Sequence, residues 1–454
     1  MNRIYRMVMM ACMVLSLLSC EKILDVKSNA QLVVPSTLSD LQALLDDAAY
    51  MNFSTTPTMG ECVADDYFLT QEIFSSRDAV SQALYVWAKF DKRFGNDWSC
   101  AYLPVYNANL CLEVLQKIPR TPVNAVQWDA VKGAALFFRG YYFSLLTMGY
   151  GKAYDLQSSQ SDPGIVLRLA SDYNIPASRA TVAECFSQAI SDISQAGELL
   201  PDLVTETTRP SKAAAFAMLS RTYIYMRDYA NAAKFADECL KLKSTLMNFN
   251  GDSDILGLGL NVPFKRFNKE TIFYTDMNSY YDINSPTRAR IDTLLYASYH
   301  VNDLRRTAYF RAASGYQQFK GSYGSSATRL FSGLATDEMF LNRSEGRAFA
   351  GDVTGAMEDL NLLLKSRWRS SAVYSPLVAT DRADALVKIR RERRKELLMR
   401  NIRFSDIKRL NMENAMITIK RVANGRTYIL EPHAPYYALP IPDDIIEQAG
   451  IPQN

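Results

Sequence analysis

The segments Ser211–Leu242 and Asp337–Trp368 carry the same pattern, and this repeat constrains the fold more than any other feature of the chain. In the first, Ser211–Met226 and Ala230–Leu242 have the apolar spacing of helices and are joined only by Arg227-Asp228-Tyr229. In the second, Gly351-Asp352-Val353 is the turn. An aspartate stands four residues before a small residue in both, Asp228 before Ala232 and Asp352 before Ala356. Turns this short make antiparallel neighbours of the helices they join.

Leu219, Tyr223, Tyr229, Ala232 and Leu240 fall where a tetratricopeptide helix pair places its large and small packing residues. The copies are far apart, which predicts a helical-pair scaffold with a long insertion rather than a tandem array. Val131–Tyr150 is apolar nearly all round and belongs in a core, while Lys132 and Arg139 argue against a bilayer. Thr181 with Glu184 forms a capping box for a helix that carries Ile190 and Ile193 and stops at Pro201. These two helices supply a further pair. Thr37 or Ser39 caps a helix through Leu41, Leu44 and Leu45; Val105, Asn109, Leu112 and Leu115 mark another. Ala385–Arg400 is a helix, with Asn401 suited to a left-handed cap, and Phe404–Leu410 starts again. Its basic run Lys388–Lys395 is interrupted by Glu392 and Glu396 and predicts a solvated helix with internal ion pairs, not a nucleic-acid patch. Residues 52–70 and 92–99 predict loops, and Pro435–Pro442 a rigid extended segment. Between about 243 and 332 helical periodicity fades and Gly, Asn, Ser and Tyr rise, predicting loops with short helices or strands, Thr271–Thr275 among them. The fold class is therefore mainly α: tetratricopeptide-like helix pairs forming a scaffold, with a loop-rich insertion.

Met1–Arg6 is basic, Met7–Leu18 is apolar, and Leu17-Leu18-Ser19-Cys20 closes the run. This is the pattern of a secretory signal too short to span a bilayer. Leu-x-Ser-Cys resembles the lipobox of bacterial lipoproteins, with Cys20 acylated (palmitate) at the new N-terminus. The expected organisation is a signal peptide at 1–19, a lipid-anchored tether at 20–35 and one helical domain at 36–454. Removing residues 1–19 lowers the formal net charge from +3 to about +1, which offers no electrostatic footprint for nucleic acid. Cys62, Cys100, Cys111, Cys185 and Cys239 are odd in number and lack a C-x-x-C pair, so no disulfide framework is indicated; Cys185 and Cys239 predict small buried hydrophobes. The chain has 2 histidines, which disfavours a histidine-rich metal site or a histidine-dependent triad.

Sugars are held by aromatic faces and by planar hydrogen-bonding groups in a few defined positions. Tyr67, Trp87, Asp66, Tyr280, Tyr281, Tyr316 and Tyr323 lie in polar-aromatic contexts and are the candidate ligand residues; Asp65-Asp66 reads otherwise as a solvated turn. Asn250, Asp252 and Asp254 mimic a calcium loop, but Ile255 and Asn261 stand where glycine and glutamate are required, so a turn is expected. No carboxylate spacing selects a catalytic pair. No catalytic residue, metal or cofactor is assigned.

Several blocks in order resemble the SusD/RagB family of outer-membrane nutrient-binding lipoproteins: Cys20–Asp25; Trp98 with Tyr102, Tyr106 and Asn109; Lys132–Tyr150 and Asp155; Arg179–Pro201; Arg209–Tyr229; Glu392–Leu397 with Arg403, Asp406 and Arg409; and Leu439–Pro442 with Gln453-Asn454. Asn401 departs from the family's glycine, and Glu447–Ala449 replaces its usual Asn-Pro. The resemblance implies a non-enzymatic lipoprotein at the cell surface. It also implies a SusC-like TonB-dependent transporter as partner and a glycan or oligosaccharide ligand, peptide being possible. It makes Trp98 part of the scaffold. The alternative is a tetratricopeptide-type scaffold that holds other envelope proteins in its helical groove.

Overall fold

A computed structural model describes residues 35–454. The signal sequence, Cys20 and the tether lie outside the described residues. The longer helices are α1 (Leu38–Asp46), α2 (Asp97–Leu115), α3 (Ala125–Tyr150), α4 (Val182–Leu199), α5 (Lys212–Met226), α6 (Tyr229–Leu242), α7 (Thr336–Phe349), α8 (Val353–Arg367), α9 (Arg382–Glu396), α10 (Arg403–Asn411) and α11 (Asp443–Ala449).

Helix starts follow local chemistry. Thr37 and Thr181 each form a capping box, with Asp40 and Glu184. Asp228 and Asp352 cap α6 and α8, accepting from Asn231 N and Gly355 N. The repeat extends to hydrogen bonding: Ser220 Oγ donates to Ala232 O at 2.9 Å and Ser344 Oγ to Ala356 O at 2.7 Å. The fixed aspartate–alanine step thus places a fully buried alanine where the paired helix can approach.

The hairpins α5–α6 and α7–α8 are adjacent in space, contrary to the non-tandem expectation. α6 lies directly on α7, where a Cβ on Gly346 would come within 2.6 Å of Tyr229 O. The insertion leaves α6 and returns to α7 through the antiparallel pairing of Thr271–Phe273 with Leu334–Ala335, so it loops out without separating the hairpins. α3 and α4 form the third pair, with Gly140 against Ala189 and Ile193.

The insertion carries irregular backbone, as predicted, yet belongs to the core: Phe273, Tyr274, Ile283, Tyr299, Tyr309, Phe319 and Phe331 are buried. Phe273 meets Phe137 of α3 at 4.8 Å. Residues 52–70, read as a loop, hold the buried helix Met59–Val63, and helix α2 begins inside the predicted loop 92–99, capped by Asn96. A two-stranded hairpin, Ile419–Ala423 with Arg426–Leu430, was not anticipated. Asn401 is left-handed at φ 60°, but α9 has already ended at Glu396; Asn401 instead ties a corner, donating from its main chain to Glu61 and from its amide to Pro57 O.

Helix α9 is not solvated. Glu392, Arg393, Lys395 and Glu396 are buried, and their partners come largely from elsewhere in the chain. Arg305 meets Asp303, Glu392 and Glu396; Arg367 meets Glu270 and Glu396; Arg393 meets Asp406. A charge at such depth persists only when paired and hydrogen-bonded, so these contacts fix α9 against α8, α10 and the insertion. Asp65 and Asp66, read as a solvated turn, pair with Arg403 and Arg394. Asp252 and Asp254 turn the chain and face Lys269 and Lys265. Cys62, Cys100, Cys111, Cys185 and Cys239 are free thiols, with Cys185 and Cys239 buried as expected. Among the described residues no helix is long and apolar enough to cross a membrane.

Candidate functional site

The structure separates the candidate ligand residues sharply. Tyr67 is buried, its hydroxyl donating to Cys62 O at 2.7 Å. Trp87 is half-buried, its indole N–H donating to Val63 O. Both rings face the Arg421 guanidinium, at 5.3 and 5.0 Å. Arg421 has carbonyl partners only, Tyr85, Cys62 and Ala64, so these rings help accommodate a buried cation. Asp66 is buried against Arg394. Tyr281 is buried edge-on to Phe90. Tyr323 is buried, with its hydroxyl on Glu270 and its ring under Arg400 at 4.4 Å. None of these four buried side chains presents a face to a ligand. Tyr316 is exposed at the Phe310–Ala313/Tyr316–Phe319 hairpin, edge-on to Phe68. Tyr280 is exposed and lies on Gly95, whose left-handed φ of 61° and bare Cα admit the ring; a Cβ there would meet it at 3.0 Å.

The 52–99 segments and the insertion meet. Tyr67–Phe68 pairs with Arg290–Ile291. Asp97 accepts from Thr58 N, Met59 N and the Asn278 amide, so one carboxylate joins three segments. Burial pushes Asp97 up to about 6, opposed by those three donors.

Immediately beyond Asp97, helix α2 forms one wall of a groove of about 440 Å³. Residues 166–173 and α11 complete it. Trp98, Tyr102, Tyr106 and Asn109 fall at helical spacing on the same wall. Trp98 is buried between Tyr102 and Tyr150, at 5.0 Å from each. Tyr102 donates to Val166 O at 2.6 Å. Asn109 donates to Arg168 O and accepts from Arg139, which is itself held by Asp192. These groups are occupied and form the floor.

What remains free is polar and aromatic. Tyr106 is 45% and Tyr173 82% exposed. Their hydroxyls, with Ser99 and Gln448, have no hydrogen-bond partner among the described residues, while Asp172 and Arg168 line the same groove. On the far side of α11, Asp444 accepts from Phe94 N and Glu447 pairs with Arg93, extending the face toward exposed Phe94 and Tyr280. Tyr106, grouped in the sequence with the Trp98–Asn109 block, and Tyr173 were not among the candidate ligand residues; the only signal for Tyr106 was the four-residue aromatic spacing along α2.

Helical hairpins stacked in tandem, with loops building an aromatic groove beside them, define an α-helical scaffold with an open groove at its edge. Residues 21–224 match the SusD-like family described as starch-binding and associating with the outer membrane. Over that stretch the chain is similar to the SusD-like family. Its fold is that of a putative sugar binding protein from Bacteroides vulgatus, at TM-score 0.73 and 21% identity over 93% of this chain and 99% of that one. A SusD superfamily protein from Bacteroides thetaiotaomicron gives TM-score 0.71 at 20% identity, over 92% and 99%. A laminarin binding SusD-like protein gives 0.63 at 17% identity, over 91% and 97%. No curated protein matches the sequence.

Proposed function

We propose that this protein is a cell-surface lipoprotein, anchored to the outer membrane through Cys20, that binds glycan or oligosaccharide fragments and passes them to a SusC-like TonB-dependent transporter. It acts by capture, without catalysis. The observation that carries the reading is the groove in which Tyr106 and Tyr173 expose their rings while their hydroxyls, Gln448 and Ser99 stay unengaged. Sugar C–H faces stack on such rings, and hydroxyls take the free planar and hydroxyl groups. The family's starch-binding description and the fold shared with a laminarin binding protein support a saccharide ligand.

The test is a titration of the purified chain against neutral polysaccharides and oligopeptides, followed by intrinsic fluorescence. Saturable saccharide binding is expected, and Tyr106→Ala with Tyr173→Ala should weaken it roughly tenfold or more, as loss of two stacking faces requires. Unchanged saccharide affinity in that double variant would remove the groove from the assignment. Binding of peptides alone would replace the ligand class.

A further inference from the structure

A second groove, of about 600 Å³, lies at the C-terminal end of α8, lined by Trp368, Tyr374, Lys365, Arg369 and the Asn248–Asn250 turn. Its walls are fixed by hydrogen bonds across the chain. Asn250 donates to Trp368 O at 2.8 Å and accepts from Ser370 N at 2.7 Å, while Arg369 N donates to Asn302 O. Trp368 is stacked on His300 at 4.8 Å and met edge-on by Tyr374 at 5.6 Å. Its indole N–H is buried and has no acceptor among the described residues.

The charge of this groove sets it apart from the first. Lys365 and Arg369 are exposed, and their charged groups make no ion pair or hydrogen bond among the described residues; no aspartate or glutamate lines the groove. Two cations without a carboxylate flank a half-exposed tryptophan in one concavity. In the first groove Arg168 donates to Ile175 O and a carboxylate, Asp172, lines the same walls, whereas the second groove has cations and no acid.

We infer that the Trp368 groove is a second saccharide site and that it takes anionic sugars, whose carboxylate or sulfate pairs with Arg369 and Lys365 while a ring face lies against the Trp368–Tyr374 wall. A guanidinium matches a carboxylate or sulfate with two parallel N–H donors, and an ammonium adds a mobile point charge. The aromatic wall is what distinguishes a sugar from a bare anion.

The experiment uses the purified chain and the variant Lys365→Ala/Arg369→Ala. Both side chains are exposed, so the variant retains its fold. Four probes are compared by calorimetry: polygalacturonate, chondroitin sulfate, laminarin and polyglutamate. The wild type is expected to bind at least one of the two anionic polysaccharides, the double variant to lose about tenfold or more of that affinity, and laminarin binding to stay unchanged. Polygalacturonate against chondroitin sulfate separates carboxylate from sulfate recognition. Failure of both to bind, or equal affinity in the two proteins, overturns the proposal. Polyglutamate binding with the same loss would overturn the saccharide assignment in favour of an acidic peptide. Under the proposed function a neutral polysaccharide such as laminarin would report on the first groove, and the Tyr106→Ala/Tyr173→Ala variant tests that groove by itself, so the two sites fail separately.

Discussion

Glu61 is a carboxyl group that the fold holds without a cation in contact. It is fully buried in the Met59–Val63 helix; burial pushes it up from 4.5 to about 8, helped by the charges of Asp66 and Asp65. One oxygen accepts from Asn401 N at 2.7 Å. The other has no partner, and neither does the Asn401 side-chain oxygen. Replacing Glu61 by Gln keeps the first acceptor and puts an amide donor in place of the unpartnered oxygen, leaving Asn401 Oδ1 as the buried oxygen that lacks a donor. Because the folded group holds its proton more tightly than the unfolded one, the stability that Glu61 contributes is fully present below about pH 4.5 and is lost as pH rises toward 8. At ~1.4 kcal/mol per pH unit across that window, the decline sums to roughly 5 kcal/mol. Glu61→Gln cannot ionise and escapes it. Urea unfolding of both proteins from pH 5 to 9 isolates this residue, since every other titrating group is common to the pair. The variant's advantage should be small at pH 5, grow to several kcal/mol by pH 8, and then level off. A difference that does not vary with pH, or a variant less stable at pH 8, would refute the reasoning.

Gly346→Ala should lower stability by about 1–3 kcal/mol, read from the denaturant midpoint, because its methyl would meet backbone Tyr229 O and the Ala233 side chain on α6. Gly351→Ala, at φ 87° but with open space around it, should cost only about 1 kcal/mol from backbone strain in the same assay. Arg367→Met leaves Glu270 and Glu396 buried without their cation and should cost about 3–5 kcal/mol, or prevent folding; a smaller loss would show that Arg305 and Tyr323 suffice for those carboxylates.

What the sequence made legible was local. A cap needs only a side chain and the backbone three residues away, so Thr181 with Glu184 and the Asp228 and Asp352 turns could be placed from spacing alone. The same range explains the error over α9. Glu392 and Lys395 do pair within the helix, as the run suggested, but Arg305 reaches Glu392 and Glu396 from another part of the chain. Nothing in the periodicity of 382–396 distinguishes a carboxylate facing water from one facing an arginine supplied by the insertion. The insertion's place in the core was hidden for the same reason. Its residues follow no period, yet Phe273 and Tyr274 are buried because α3 and the 52–58 segment bring their partners to them.

The site shows the limit most plainly in two tyrosines one helical turn apart. Tyr102 and Tyr106 lie on the same wall of α2 and have the same chemistry. Tyr102 meets the Val166 carbonyl and becomes floor; Tyr106 reaches no partner and remains 45% exposed. Tyr67 and Tyr323, chosen for their polar-aromatic surroundings, follow Tyr102: their hydroxyls end on Cys62 O and Glu270. Polar context in sequence therefore selects tyrosines whose hydroxyls are already spoken for as readily as those left free. A binding tyrosine is marked by the absence of an internal acceptor, and that absence is decided by chain segments that meet only after folding. Exposure of the ring together with an unengaged hydroxyl admits Tyr50, Tyr280 and Tyr316 as well as Tyr106 and Tyr173, and it is the shared groove that sets the last two apart.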